Sequence, residues 1–282
     1  MRQSRFVLAL LIAPVLAFLS AILFYPLAEM VYRSFIDPAP GIGNYVRIVE
    51  NDVYARVFWT TFEVSGLITL ICLLVGYPLA YAAANRGPTA RLILLAAVMM
   101  PFWTSLLVRT YAWMVLLGAG GPAVQLWSFF IGTEPPQLLF NRFSAVIGMV
   151  YVMLPYMVLS LFGVMNEIDN NYQRAARSLG ATPLRAFWHV YLPQSMAGVT
   201  GGVLLVFIVS IGFFVTPALL GGRKETFIAR LIKINVQDVV DWGFASALAV
   251  VLLVLTIALL FCYDRLLRSE SVFSPGLTRR RA

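Results

Sequence analysis

Few side chains in this 282-residue sequence carry chemistry, and none stands at a spacing that makes or breaks bonds. The single histidine, His189, has no cysteine or carboxylate at metal-ligand or acid–base spacing. Cys72 and Cys262 both lie inside apolar runs and read as packing residues. Glu167 and Asp169 look like paired acids, but they begin a helix, where the dipole favours negative charge. The sequence holds no GxxxxGK[ST] phosphate loop, so the chain does not hold ATP in that manner. What remains is recognition. A carboxylate and an aromatic face suit a cation, and Glu63 and Trp103 are the candidates, with Thr110, Phe214 and Thr216 as further polar or aromatic path residues.

The elements that position them are membrane spans. The chain is 60% hydrophobic and only 12% charged, with a mean hydropathy of +0.83, outside the range of soluble domains. Basic residues outnumber acidic ones 21 to 13, for a formal charge of +8. In a soluble protein that surplus points to nucleic acid; here the positive-inside rule accounts for it. Apolar runs predict an all-α membrane protein with spans at about 6–31, 57–84, 92–118, 145–165, 197–220 and 244–263, a single transmembrane domain over 1–282. The first run is too long for a signal-peptide core and lacks a cleavage pattern. The stretch 119–144 reads as a Gly/Pro/aromatic loop, and FIARLIKINVQDVV, after the fifth span, as a short interfacial helix.

Depth then sorts the candidates. Trp103 falls about 16 Å into the third span, near the midplane, on one helix face with Met99, Leu106 and Thr110. Arg109 falls about 25 Å into that span, placed to snorkel or to pair with Glu63, about 9 Å below the outer face of the second. Glu63 is otherwise free to meet an amine-bearing substrate. In the fifth span Ser210, Phe214, Thr216 and Pro217 lie in the outer half, where Gly212 and Pro217 loosen the helix.

The longest polar break, 166–193, is built as two short helices. Asn166 is the expected cap of the first, and Tyr172, Ala175, Ala176 and Leu179 form one narrow face, with Arg174 and Arg177 off it. Gly180 is expected to end that helix in a left-handed turn, Thr182-Pro183 to start the next, and Leu192-Pro193 to close the module. Two alanines and a glycine turn between spans let another protein come close. Even span number puts both termini on one side. Arg2, Arg5, Arg86, Arg91, Arg174, Arg177, Arg185, Arg265, Arg268 and Arg279–Arg281 share that side; Arg33, Arg47, Arg56, Arg142, Arg223, Lys224, Arg230 and Lys233 oppose them. Twelve against eight assigns termini and module to the cytoplasm.

Ala175-Ala176, Gly180 and Leu192-Pro193, at this spacing between the fourth and fifth spans, resemble the EAA signature of permeases in ATP-binding-cassette importers. Arg174 stands where that family usually has Glu, so an ionic contact made by the acid is absent or reversed; Val190 replaces the usual Ile. Asn44-Tyr45, GYPLAY in the second span, PFWTSLLVRTYAW in the third and Leu220–Gly222 are similar to the spermidine/putrescine branch. The resemblance implies the type I importer permease fold, with a cytoplasmic coupling helix at Arg174, Ala175, Ala176, Gly180, Leu192 and Pro193. It also implies a second related permease, two copies of an ATPase subunit that carries ATP and magnesium, a periplasmic substrate-binding protein, and a multi-pass location in the bacterial inner membrane. The chain itself would bind no cofactor, metal or nucleic acid. A polyamine is the implied substrate; an opine, an amino-acid derivative, iron or a sulfate-type anion shares the scaffold. The competing class, a stand-alone secondary transporter, calls for midplane carboxylates or internal repeats, which the sequence does not show.

Overall fold

The computed structural model describes residues 2–133, 136–169, 171–222 and 225–271, with side chains left undescribed at 2–11, 264 and 266–271. The expectations for Arg223, Lys224 and Arg279–Arg281 therefore lie outside the described residues, and those for the side chains of Arg2, Arg5 and Arg268 lie outside the described side chains. Thirteen α-helices follow in chain order among those residues: α1 Arg2–Ile36, α2 Gly43–Glu50, α3 Asp52–Asn85, α4 Pro88–Met99, α5 Leu106–Leu117, α6 Pro122–Ile131, α7 Arg142–Met165, α8 Asn171–Ser178, α9 Pro183–Ala186, α10 Leu192–Ile211, α11 Val215–Leu220, α12 Ile228–Ile234 and α13 Trp242–Ser271. Among the described residues six stretches are long and apolar enough to cross a membrane: Ile12–Ile36, Asp52–Asn85, Leu106–Ile131, Arg142–Met165, Pro183–Ile211 and Trp242–Tyr263. Prolines at 14, 26, 78 and 155 sit inside these helices, where neighbouring helices and local adjustment satisfy the freed carbonyls.

The chain divides into two compact units. One comprises residues 1–55 and 231–282, the other 56–230. In the first, the Asn44-Tyr45 pair fixes the turn between α1 and α2. The Asn44 amide donates to the Ser34 and Asp37 carbonyls at 3.0 and 2.8 Å, and the Tyr45 hydroxyl lies 2.7 Å from Ser34 Oγ. Arg47 pairs with Asp241 at 2.9 Å and lies over the Phe244 ring. In the second unit, α7 is the central rod. Val64, Ile68 and Cys72 of α3 and Val206 of α10 join Met149, Met153, Met157, Val158 and Leu161 of α7 in one buried core. Cys72 is a packing residue as expected, whereas Cys262 is exposed.

Two spans differ from the sequence expectation. The third is not one helix over 92–118: α4 passes into a 3₁₀ turn at Met100–Trp103, and Thr104 is extended before α5 begins. Pro101 has no N–H to continue the ladder. Trp103 and Thr110 consequently do not share a continuous helix face. The fifth begins earlier and ends sooner than 197–220. α9 runs through a π-turn at Phe187–Tyr191 into α10, which stops at Ile211, and α11 follows after a break at 212–214. Gly212 and Phe214 thus mark an interruption rather than a loosened helix. Within 119–144, expected as a loop, Pro122–Ile131 forms α6. FIARLIKINVQDVV holds α12, and its Phe227 and Ile228 are fully buried, with the Ile228 N–H donating to Thr61 Oγ1 at 3.0 Å.

Candidate functional site: the module between the fourth and fifth spans

The module starts later than expected. Asn166 does not cap it: its N–H donates to the Phe162 carbonyl, which makes it the last turn of α7. Asp169 does the capping instead, accepting from the Asn171 N–H at 2.9 Å and from the Asn171 amide at 3.3 Å. The acid therefore serves the first backbone N–H of α8 directly, in addition to its charge near the helix start. At the other end Gly180 has φ +89, and the Ala181 and Gly180 N–H groups donate to the Ala176 and Arg177 carbonyls. That paired pattern is a Schellman turn, and the left-handed residue it needs is glycine here. Thr182 Oγ1 accepts from the Arg185 N–H at 3.4 Å, with Pro183 in the first helical position.

Leu192-Pro193 does not close the module. Pro193 cannot donate to the carbonyl four residues back, and the ladder widens just before it: the Leu192 N–H reaches the Phe187 carbonyl. The wide turn lets α9 continue into α10 as one helical run. On its inner side sits an aromatic junction absent from the sequence reading. Tyr81 meets Phe187 and Tyr191 edge-on at 5.6 and 4.9 Å between ring centres, and Tyr77 meets Phe187 at 6.1 Å. The Tyr77 hydroxyl lies 2.9 Å from Ser195 Oγ, and the Asn85 amide donates to the Tyr191 hydroxyl at 3.2 Å. The sequence signal was the tyrosine spacing in GYPLAY, which puts Tyr77 and Tyr81 on one face of α3.

The outer side of the module is bare. Leu179 is 89% exposed and Leu184 69%, with Tyr172 and Trp188 also largely exposed, an apolar surface that a soluble environment penalises. Arg174, Ala175, Arg177 and Gly180 are exposed, Ala176 half-buried. A cavity of about 460 Å³ lies between α8 and the run that follows, lined by Ala176, Ala181, Arg185, Ala186, His189 and Val190. His189 contacts the Arg185 carbonyl through Nδ1 at 3.1 Å.

The path candidates separate. Thr110 and Thr216 come together, both buried, with hydroxyls 3.5 Å apart, and Thr110 also donates to the Leu106 carbonyl. Phe214 stands at the break before α11, half-buried. Trp103 is 78% exposed at the break in the third span. Glu63 does not pair with Arg109. Arg142 takes it at 2.7 Å, while Arg109 Nε reaches only the Ser105 carbonyl of its own helix at 3.5 Å.

The module lies between two long spans and carries exposed apolar residues among its polar ones. A family model described as the binding-protein-dependent transport system inner membrane component matches residues 73–271. The chain belongs to this family. It is a multi-pass inner-membrane permease subunit of an ATP-binding-cassette importer. Among its relatives, the spermidine/putrescine transport system permease protein PotB of Haemophilus influenzae is 38% identical over 79% of this chain and 78% of that protein. The PotB of Escherichia coli K12 is 32% identical over 82% and 84%. The fold is also that of a solved bacterial alginate ABC transporter in complex with alginate pentasaccharide-bound periplasmic protein, with a TM-score of 0.78 at 15% identity and 98% of each chain covered.

For the permease, the aromatic junction ties the module to the second span. Phe187→Ala is expected to cost about 3 kcal/mol of local packing, the low end for a half-buried phenylalanine. It should speed proteolysis between Arg174 and Arg185 while the spans stay protected; an unchanged cleavage rate would show the junction to be idle.

Proposed function

We propose that this permease subunit imports a polyamine such as spermidine or putrescine. It would do so with a second related permease, two copies of a cytoplasmic ATPase subunit and a periplasmic substrate-binding protein. The observation that carries the substrate is the likeness to spermidine/putrescine permeases over about four-fifths of both chains. Docking rests on the outward apolar face at Leu179 and Leu184 and the half-buried Ala176 beside its cavity. ATP and magnesium belong to the partner ATPase, and this chain contributes half the path and one coupling helix. Both termini and the module face the cytoplasm in this reading, on the strength of the arginine bias.

Trp103, Thr110, Phe214, Thr216 and Glu63 are the path residues of this proposal. Trp103 offers an open ring face at the break in the third span, suited to an ammonium group. Loss of a cation–π contact worth about 0.5–2 kcal/mol predicts that Trp103→Ala lowers spermidine uptake by about 2- to 30-fold. ATPase retention should be untouched. The test of the whole reading is purification of the permease from its native membrane with every co-purifying subunit identified. The recovered binding protein is then titrated with polyamines, opines and anions. Capture of an ATPase and a second permease with polyamine binding supports it. Preference for an anion would move the substrate, and solute movement by the purified chain alone without ATP would replace the importer by a secondary transporter.

A further inference from the structure

We propose that the module docks through a basic face, and that the ATPase groove receiving it carries carboxylates opposite Arg174, Arg177 and Arg185. The inference rests on the docking reading above and adds the partner's chemistry. From Asn171 to Pro193 the sequence holds three arginines, one histidine and no acid. All three arginines are exposed. Arg174 and Arg177 stand three apart on α8, so their charges repel along one helix face. The nearest acid with a described partner, Asp169, has both oxygens engaged with Asn171. The ion pairs Arg33–Glu29, Arg47–Asp241 and Arg142–Glu63 all lie elsewhere, and among the described residues no carboxylate is seen paired with the module's arginines.

Interspersed with these arginines along the module are Leu179, Leu184 and Trp188, which are 89%, 69% and 56% exposed. An apolar centre with a charged rim is the anatomy of an interface. The charge at that rim has one sign, and the complementary surface is therefore acidic. A base at 174, where the resemblance leads one to expect an acid, fits the same conclusion: the pair is kept with its polarity reversed.

The test uses the whole importer, with both permeases and the ATPase, reconstituted in lipid. Arg174→Glu and Arg177→Glu are each expected to weaken ATPase retention about tenfold. Retention by the wild type should fall as potassium chloride rises from about 0.05 to about 0.5 M. Reversing the facing carboxylate of the ATPase to Arg should restore binding to Arg174→Glu and weaken binding to the wild type. Arg174→Gln, with a smaller expected loss, serves if the reversed chain does not assemble. Salt-independent retention of wild type and both reversed variants would overturn the basic face while leaving docking at the module intact. Equal retention by a Gly180→Pro permease would overturn docking at the module itself. Reversed variants that hold the ATPase but lose affinity for vesicles of phosphatidylglycerol would assign the arginines to lipid, and would also overturn the proposal.

Discussion

Gly180→Pro is expected to release the ATPase and bring transport-coupled hydrolysis down to background, while the permease still inserts and its spans still pack. The glycine does two things that proline cannot. Its φ of +89 lies far from the −65° of a pyrrolidine ring, and its N–H donates to the Arg177 carbonyl. Losing both unravels the Schellman turn, at about 1–3 kcal/mol for the strain alone. The turn also sets the angle between α8 and α9, so the exposed Leu179 and Leu184, one on each side of it, change their relative placement. Gly180→Asn is the matched control, because asparagine tolerates the left-handed region. It should retain most of the coupled activity. Ala176→Trp attacks the same face from inside: Ala176, Ala181 and Ala186 line the cavity of about 460 Å³, and an indole placed there forces α8 away from the run behind it. Normal coupled hydrolysis in either Gly180→Pro or Ala176→Trp would end the docking assignment.

Much of this was legible in the sequence because local rules govern it. The turn at Gly180 and the cap at Thr182-Pro183 are set by the backbone needs of single residues. Six apolar stretches follow from composition alone. What the sequence did not disclose depends on partners in three dimensions. Glu63 takes Arg142 rather than Arg109, and those two residues are separated by 79 positions along the chain. Depth along a span ranks candidates but does not say which helix faces which. The break after Pro101 and the wide turn before Pro193 were both marked by prolines. A proline signals that a ladder is interrupted; whether the chain kinks, turns 3₁₀ or widens depends on what packs around it. The aromatic junction likewise needed α3 and the π-turn to meet.

Gly198→Leu is expected to prevent assembly of the α7–α10 pair, and Gly198→Ala to weaken it measurably. A Cβ at Gly198 would lie 3.2 Å from Leu161 Cα and 3.3 Å from the Ser160 carbonyl oxygen, both backbone atoms of α7. Backbone cannot turn aside as a side chain can, so the helices must separate. The contact is also hydrogen-bonded, Ser160 Oγ donating to the Gly198 carbonyl at 3.2 Å. In lipid, where no hydrophobic force pushes helices together, close backbone approach of this kind supplies the association. Overpacking of about 1–3 kcal/mol is the expected cost of the alanine, read as a lower melting temperature in detergent. Two comparisons isolate the cause. Gly202→Ala meets the Met157 sulfur at 2.7 Å, a flexible side-chain end that can move, and should cost less. Gly163→Ala meets nothing within 4 Å and should not lower the melting temperature. The position has a functional consequence too under the proposed docking role, because α7 leads into the module and α10 leads out of it. Widening their separation at Gly198 changes the distance between the module's two ends, so Gly198→Ala should transport less solute per ATP even when the ATPase remains bound. A variant that melts and couples like the wild type would show that this approach of α7 and α10 is neither the structural joint nor the lever.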